Sequence, residues 1–159
     1  EIAPSDWSSD VCSSDLKPGT GGLVTVVDRT SHLLLAAKIE DKTASAVQAA
    51  LIRLLEGVEC RSLTTDNGKE FARHKEVSAA LGVPVYFAHP HSPWERGTNE
   101  NTNGLIREYL PKGIDFREVR SDDVLRIVEH LNNRPRKCLG FRTPNEAFFN
   151  LPVAFGLTI

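Results

Sequence analysis

Between residues 23 and 55 the hydrophobic period of the chain changes. Residues 23–27 (LVTVV) and 32–39 (HLLLAAKI) are dense in aliphatic and β-branched side chains. The polar stretch DRTS at 28–31 separates them, so the two predict a hairpin. From Thr43 the period lengthens. Ala46, Val47, Ala50, Leu51, Leu54 and Leu55 recur at steps of three and four, which predicts a helix to about Leu55 with Thr43 as its N-cap. SLTT at 62–65 predicts a short buried strand ending at Asp66. A helix over 74–81 is stopped by Gly82, and VPVYFA at 83–88 predicts another strand. HPHSP at 89–93 is a loop, because two prolines forbid a regular element. Helices follow over 98–109 and 121–131, and Pro135 and Pro144 punctuate a tail with a short apolar segment at 147–151. Hairpin, helix, strand, helix, strand and helices in that order predict an α/β fold with a mixed sheet flanked by helices.

Length and composition narrow the class. The 159 residues suit one domain with a sizeable core, and 40% hydrophobic with 25% charged residues is an ordinary globular balance. No apolar run approaches the length of a membrane span, and no basic segment precedes an apolar leader. Cys12, Cys60 and Cys138 are odd in number and form no CxxC pair, which speaks against a disulfide framework and suits a reducing cytoplasm.

The first 16 residues, EIAPSDWSSDVCSSDL, have a different character: polar, rich in Ser and Asp, and without clear periodicity. The string DWSSDVCSSDL matches the translation of a common sequencing-library adapter. Residues 1–16 are therefore expected to be foreign and to stand outside the native fold, with residues 17–150 as the core and 151–159 as a C-terminal tail. The first strand would then be missing or replaced. Its loss would expose the edge of the hairpin at 23–27 to aggregation. Leaving out residues 1–16 removes four acids and no base, which turns the net charge from −2 to +2. The local pattern says more. Residues 132–143 hold Arg134, Arg136, Lys137 and Arg142 and no acid, a composition that can lie along phosphates.

Two segments carry the candidate chemistry. In TTDNGKEF (64–71) a strand of small and apolar residues delivers Asp66 at its end, before the Asn67-Gly68 turn. In SPWERGTNENTNG (92–104) Glu100 lies among Arg96, Asn99, Asn101, Asn103 and Arg107. On a helix Glu100, Asn103 and Arg107 share a face. Taken alone, Asp66 fits a turn former and Glu100 a capped surface helix, and Glu70 and Glu95 are rival carboxylates. Together they suit phosphodiester chemistry. Negative charge develops there on attacking and leaving oxygens, which two Mg²⁺ ions about 3.5–4 Å apart can stabilise. Carboxylates with Asn neighbours favour Mg²⁺ or Mn²⁺ over zinc. His89 and His91 form an HxH pair, but no further His or Cys at ligand spacing supports a zinc site. Trp94 could stack a flipped base, although a packed loop anchor suits it better.

Three strings, TTDNGKEF, YFAHPHSPWERGTNENTNGLIREYLPKG and LNNRPRKCLGFRTPNEAF, resemble the catalytic domain of the IS-thirty-type insertion-sequence transposases. The resemblance runs from Lys17 to about Phe149. It implies a ribonuclease-H-like fold, a DDE triad, a two-metal site using Mg²⁺ or Mn²⁺, DNA as partner (transposon ends and target), a homo-oligomer on DNA, no membrane, and a bacterial cytoplasmic location on the nucleoid. Asp66 matches the second acid and Glu100 the third, 34 positions apart. Both are then expected to be catalytic and to hold metal. By spacing from the KPGTGG turn (17–22), the first acid falls near position 12, where the chain has Cys12. Asp10 and Asp15 lie close by, inside the foreign-looking segment. The chain as written is therefore expected to be inactive.

Lys69, Arg96, Asn99, Asn103, Arg107, Arg134, Arg136 and Lys137 are the expected DNA contacts. Pro135 should keep the last three on an extended segment free of competing ion pairs. Family members carry a separate N-terminal helix-turn-helix region, so this chain should bind DNA weakly and with little sequence preference. Two rivals remain: a plain ribonuclease-H-like nuclease, and a non-catalytic DNA-binding or multimerisation remnant of a transposase.

Overall fold

The structure is a computed structural model that describes residues 5–13, 21–89 and 97–150. Five strands form one sheet. They are β1 (Ser5–Ser13), β2 (Gly22–Asp28), β3 (Leu34–Ile39), β4 (Cys60–Thr65) and β5 (Val85–Phe87), in the spatial order β3-β2-β1-β4-β5. β1, β2 and β3 run antiparallel, and β4 and β5 run parallel to β1. Five helices cover the two faces: α1 (Ala44–Leu55), α2 (His74–Leu81), α3 (Gly97–Ile106), α4 (Ser121–Asn132) and α5 (Pro144–Phe148).

The cores follow from strand alternation. Val24 and Val26 of β2 face α1 and α2, and pack with Val47, Ala50, Leu51, Leu55 and Val77. Leu23 and Val27 face the other way, onto Ile106, Leu110, Phe116, Val124 and Leu131. A strand buried on both faces needs this unbroken apolar run, and every residue of β2 is buried.

The expected elements form with small shifts. The Thr43 hydroxyl accepts from the Ala46 amide at 3.2 Å, as an N-cap should. α2 ends at Gly82, whose φ of 67° puts it in the left-handed region that ends a helix. The hairpin turn is fixed by Asp28, whose carboxylate accepts from the Ser31 amide at 2.7 Å and from its hydroxyl at 2.5 Å. α3 stops at Ile106, three residues short of the expected end.

The place of the first strand, expected to be missing or replaced, is filled by Ser5–Ser13 at the centre of the sheet between β2 and β4. The edge of β2 at 23–27 is therefore covered by β1 rather than exposed. Trp7 explains how so polar a segment is held: it is fully buried in the core beneath α1, with its ring edge-on to Phe148 of α5 at 5.8 Å. The exposed sheet edge on this side is β3, and part of it is closed by a side chain. Asn132 at the end of α4 accepts from the Leu34 amide at 2.9 Å and donates to its carbonyl at 2.8 Å.

Candidate active site

Asp66 stands one residue past β4, half-buried. Its Oδ1 accepts from the Gly68 amide at 2.9 Å, so it forms the turn as well as ending the strand. The Asn67 side chain donates to the Ala88 carbonyl at 3.0 Å and ties this turn to the end of β5. Gly68 has an ordinary φ of −66°. A β-carbon there would lie 2.5 Å from the Glu70 carboxyl, which a swing of that flexible side chain would relieve. Glu70, one of the rival carboxylates, is folded back over the turn. Lys69 begins a short 3₁₀ turn (Lys69–Phe71) anchored by buried Phe71, and its own side chain is exposed.

Glu100 lies in the first turn of α3 and is exposed. The helix packs across β1 and β2, and the Thr25 hydroxyl on β2 donates to Asn103 Oδ1 at 3.3 Å. Asn99 is fully buried, and among the described residues neither amide atom has a hydrogen-bond partner.

The strand register relates these pieces. β1 and β4 pair in parallel with Trp7 level with Leu63 and Ser8 level with Thr64. The β1–β4 pairing ends at that level, two residues before position 10 on β1 and two before Asp66. On its other side position 10 pairs with Thr25, the residue that reaches α3. Leu63 belongs to the α1 layer, so strand alternation sends Asp66 to the α3 face. Position 10, paired with Thr25, lies on β1 where the helix that carries Glu100 crosses the sheet. Position 12, where spacing set the first acid, pairs with Leu23, two residues beyond that level.

Among the described residues no group of three or more His, Cys, Asp or Glu side chains gathers round one point. The donors on the α3 face are nevertheless hard oxygens. They suit Mg²⁺, which usually takes one or two carboxylates and fills its shell with water and substrate phosphate.

The expected DNA contacts divide. Lys69 and Lys137 are exposed, and Arg107 is half-buried. Arg96, with Trp94, His91 and Glu95, lies outside the described residues. Asn99 is enclosed and Asn103 links α3 to β2, so neither amide is simply displayed to a phosphate. The basic segment departs most from expectation. Arg134 has a competing pair, with Glu108 at 3.3 Å. Arg136 is half-buried, donates to the Leu131 carbonyl at 3.2 Å, and is held below the usual guanidinium range by burial and by the charge of Arg134. Lys137 starts a second 3₁₀ turn (Lys137–Leu139), so the chain is not extended beyond Arg136. Glu108 lies outside the basic run in sequence, which is why composition alone did not reveal the pair.

Comparison with known proteins agrees with this geometry. The integrase core domain family model matches residues 2–93. The transposase for insertion sequence element IS4351 of Bacteroides fragilis is 46% identical over 80% of this chain. That of IS1086 from Cupriavidus metallidurans is 42% identical over 90%, and transposase InsI for IS30A of Escherichia coli is 43% identical over 83%. The chain spans 40%, 42% and 36% of the length of these relatives. Among solved structures, the catalytic core domain of BIV integrase superposes with a TM-score of 0.73 at 21% identity, over 93% of this chain and 95% of that one. An intasome of simian T-cell lymphotropic virus gives the same TM-score at 20% identity. Retroviral integrase cores thus share the ribonuclease-H-like fold. By its sequence, its fold and the match across residues 2–93, the chain belongs to the integrase core domain family, among the bacterial transposases of the IS30 type.

Proposed function

We propose that this chain is the catalytic core of a DNA transposase that cleaves transposon ends and joins the freed 3′-hydroxyl to target DNA. The observation that carries the reading is the packing of α3, which bears Glu100, across β1 and β2 of the sheet whose β4 ends at the Asp66 turn. Asp66 and Glu100 would hold Mg²⁺ or Mn²⁺, which when bound stabilises charge on the attacking and leaving oxygens. The chain's own contribution is placement. The Asp66 turn is braced by Gly68 and Asn67, and the Glu100 helix is fixed to the sheet through Asn103. Lys69, Arg107 and Lys137 would meet the DNA backbone, giving affinity without sequence preference. DNA ends, target and further copies of the chain are the partners, in the bacterial cytoplasm.

As written the chain is expected to be inactive, because residues 1–16 are foreign and the first acid of the native strand is lost. The register favours a second reading, in which Asp10 stands in for that acid. One assay separates them: Mg²⁺-dependent joining of a precleaved end to plasmid DNA, run on the chain as written and on a chain with a native-type first strand restored. Activity only after repair supports the first reading. Activity in the unmodified chain that Asp10→Asn removes supports the second. The transposase reading fails if the repaired chain neither cuts nor joins, or if Asp66→Asn and Glu100→Gln leave it unchanged. Nicking without joining would make it a nuclease.

A further inference from the structure

We infer that the loop at 136–142 is a nucleic-acid contact in which the Phe141 ring stacks on an unpaired base while Lys137 meets the adjoining phosphates. The inference rests on the DNA-acting reading above. After α4 the chain doubles back and locks itself. The Arg136 amide donates to the Arg142 carbonyl at 2.9 Å, the Phe141 amide to the Arg136 carbonyl at 2.9 Å, and the Gly140 amide to the Lys137 carbonyl at 3.1 Å. This closure requires two successive left-handed residues, Gly140 at φ 63° and Phe141 at φ 65°. Glycine adopts that conformation freely, whereas a bulky side chain rarely does. Burial does not offset the strain, since the Phe141 ring is 69% exposed. An aromatic ring held outward on strained backbone is placed for contact rather than for packing.

Charge names the partner. Residues 132–143 contain four cations and no acid. Arg134 and Arg136 are engaged by the protein, and Arg142 donates to the Glu146 carbonyl at 2.6 Å, while Lys137, four residues before the ring, is exposed. An exposed ring on the same short loop as an exposed lysine, in a run without acids, is the pattern of single-strand platforms. Stacking there depends little on which base is present.

The test uses the 159-residue chain and its Phe141→Gly, Phe141→Ala and Phe141→Tyr variants. Binding to a fluorescent single-stranded oligonucleotide and to the matching duplex is read by anisotropy, with melting temperature alongside. Phe141→Gly relieves the backbone strain, so it should melt no lower than the parent and yet bind the single strand about tenfold more weakly. Phe141→Ala should lose the same affinity, Phe141→Tyr should keep it, and duplex binding should change little. If the parent binds and Phe141→Gly binds the single strand equally well, this inference falls while the DNA-acting reading stands. If the Phe141 variants dissolve a self-association without changing DNA affinity, the loop is a protein interface and the inference is overturned. A parent that binds no DNA overturns both.

Discussion

Asn99 precedes Glu100, is enclosed, and among the described residues its amide has no hydrogen-bond partner. An enclosed polar group left unpaired costs about 1–3 kcal/mol. Asn99→Leu, which keeps the volume, should therefore raise unfolding stability by about that much in urea titration. A loss of stability would show that the amide has a partner in solution. His32 offers a second residue-scale test. It sits at φ 60° in the hairpin turn, and burial, then the Arg136 charge, hold its imidazole below the ordinary histidine pKa of 6.5. The unfolded chain thus takes up a proton at a higher pH than the folded one. Stability is undiminished above about pH 6.5 and falls as the pH drops from there to the lowered folded value. His32→Asn tolerates the left-handed backbone and should flatten the melting-temperature profile between pH 5 and 7. A profile as steep as the parent's would rule His32 out as its source.

At the scale of elements, helix and hairpin placement follows from local chemistry, whereas closure of the β3 edge does not. Thr43, Gly82 and the Asp28 turn act within a few residues of chain, so capping and turn rules locate them. Asn132 reads in sequence as the start of a basic tail, yet its amide pairs with the backbone of Leu34. Asn132→Leu removes both bonds at a buried site and should cost about 1–3 kcal/mol in denaturant unfolding, with the m-value unchanged. A cost near zero would mean that water replaces the side chain. The basic segment shows the same limit: that Arg134 is spent on Glu108 depends on how the chain beyond α3 passes α4.

For the whole molecule, the decisive element is β1. Its composition marks it as foreign, and the fold nevertheless rests on it as the central strand. A sheet of this topology leaves a slot between β2 and β4 with backbone donors and acceptors on both sides. A polar segment can fill it if one large apolar side chain reaches the core, and Trp7 does so. Trp7→Ala should lower stability by about 3–5 kcal/mol in chemical denaturation. If residues 1–16 lay outside the fold in solution, the same substitution would change nothing, which makes it the direct test of where the native domain begins.

The sequence by itself determined the α/β class, the order and approximate bounds of β2 to β5 and of α1 to α4, and the pairing of Asp66 with Glu100 as candidates. Each of these is written in local periodicity, in capping and turn residues, or in strings long enough to carry a family resemblance. Only the tertiary structure decided that Ser5–Ser13 fills the centre of the sheet, that Asn99 is enclosed, that Arg134 and Arg136 are engaged, and that Phe141 is held outward. Those outcomes depend on strand register and on contacts between distant segments, and no local pattern encodes the distance between residues that meet only when the sheet closes.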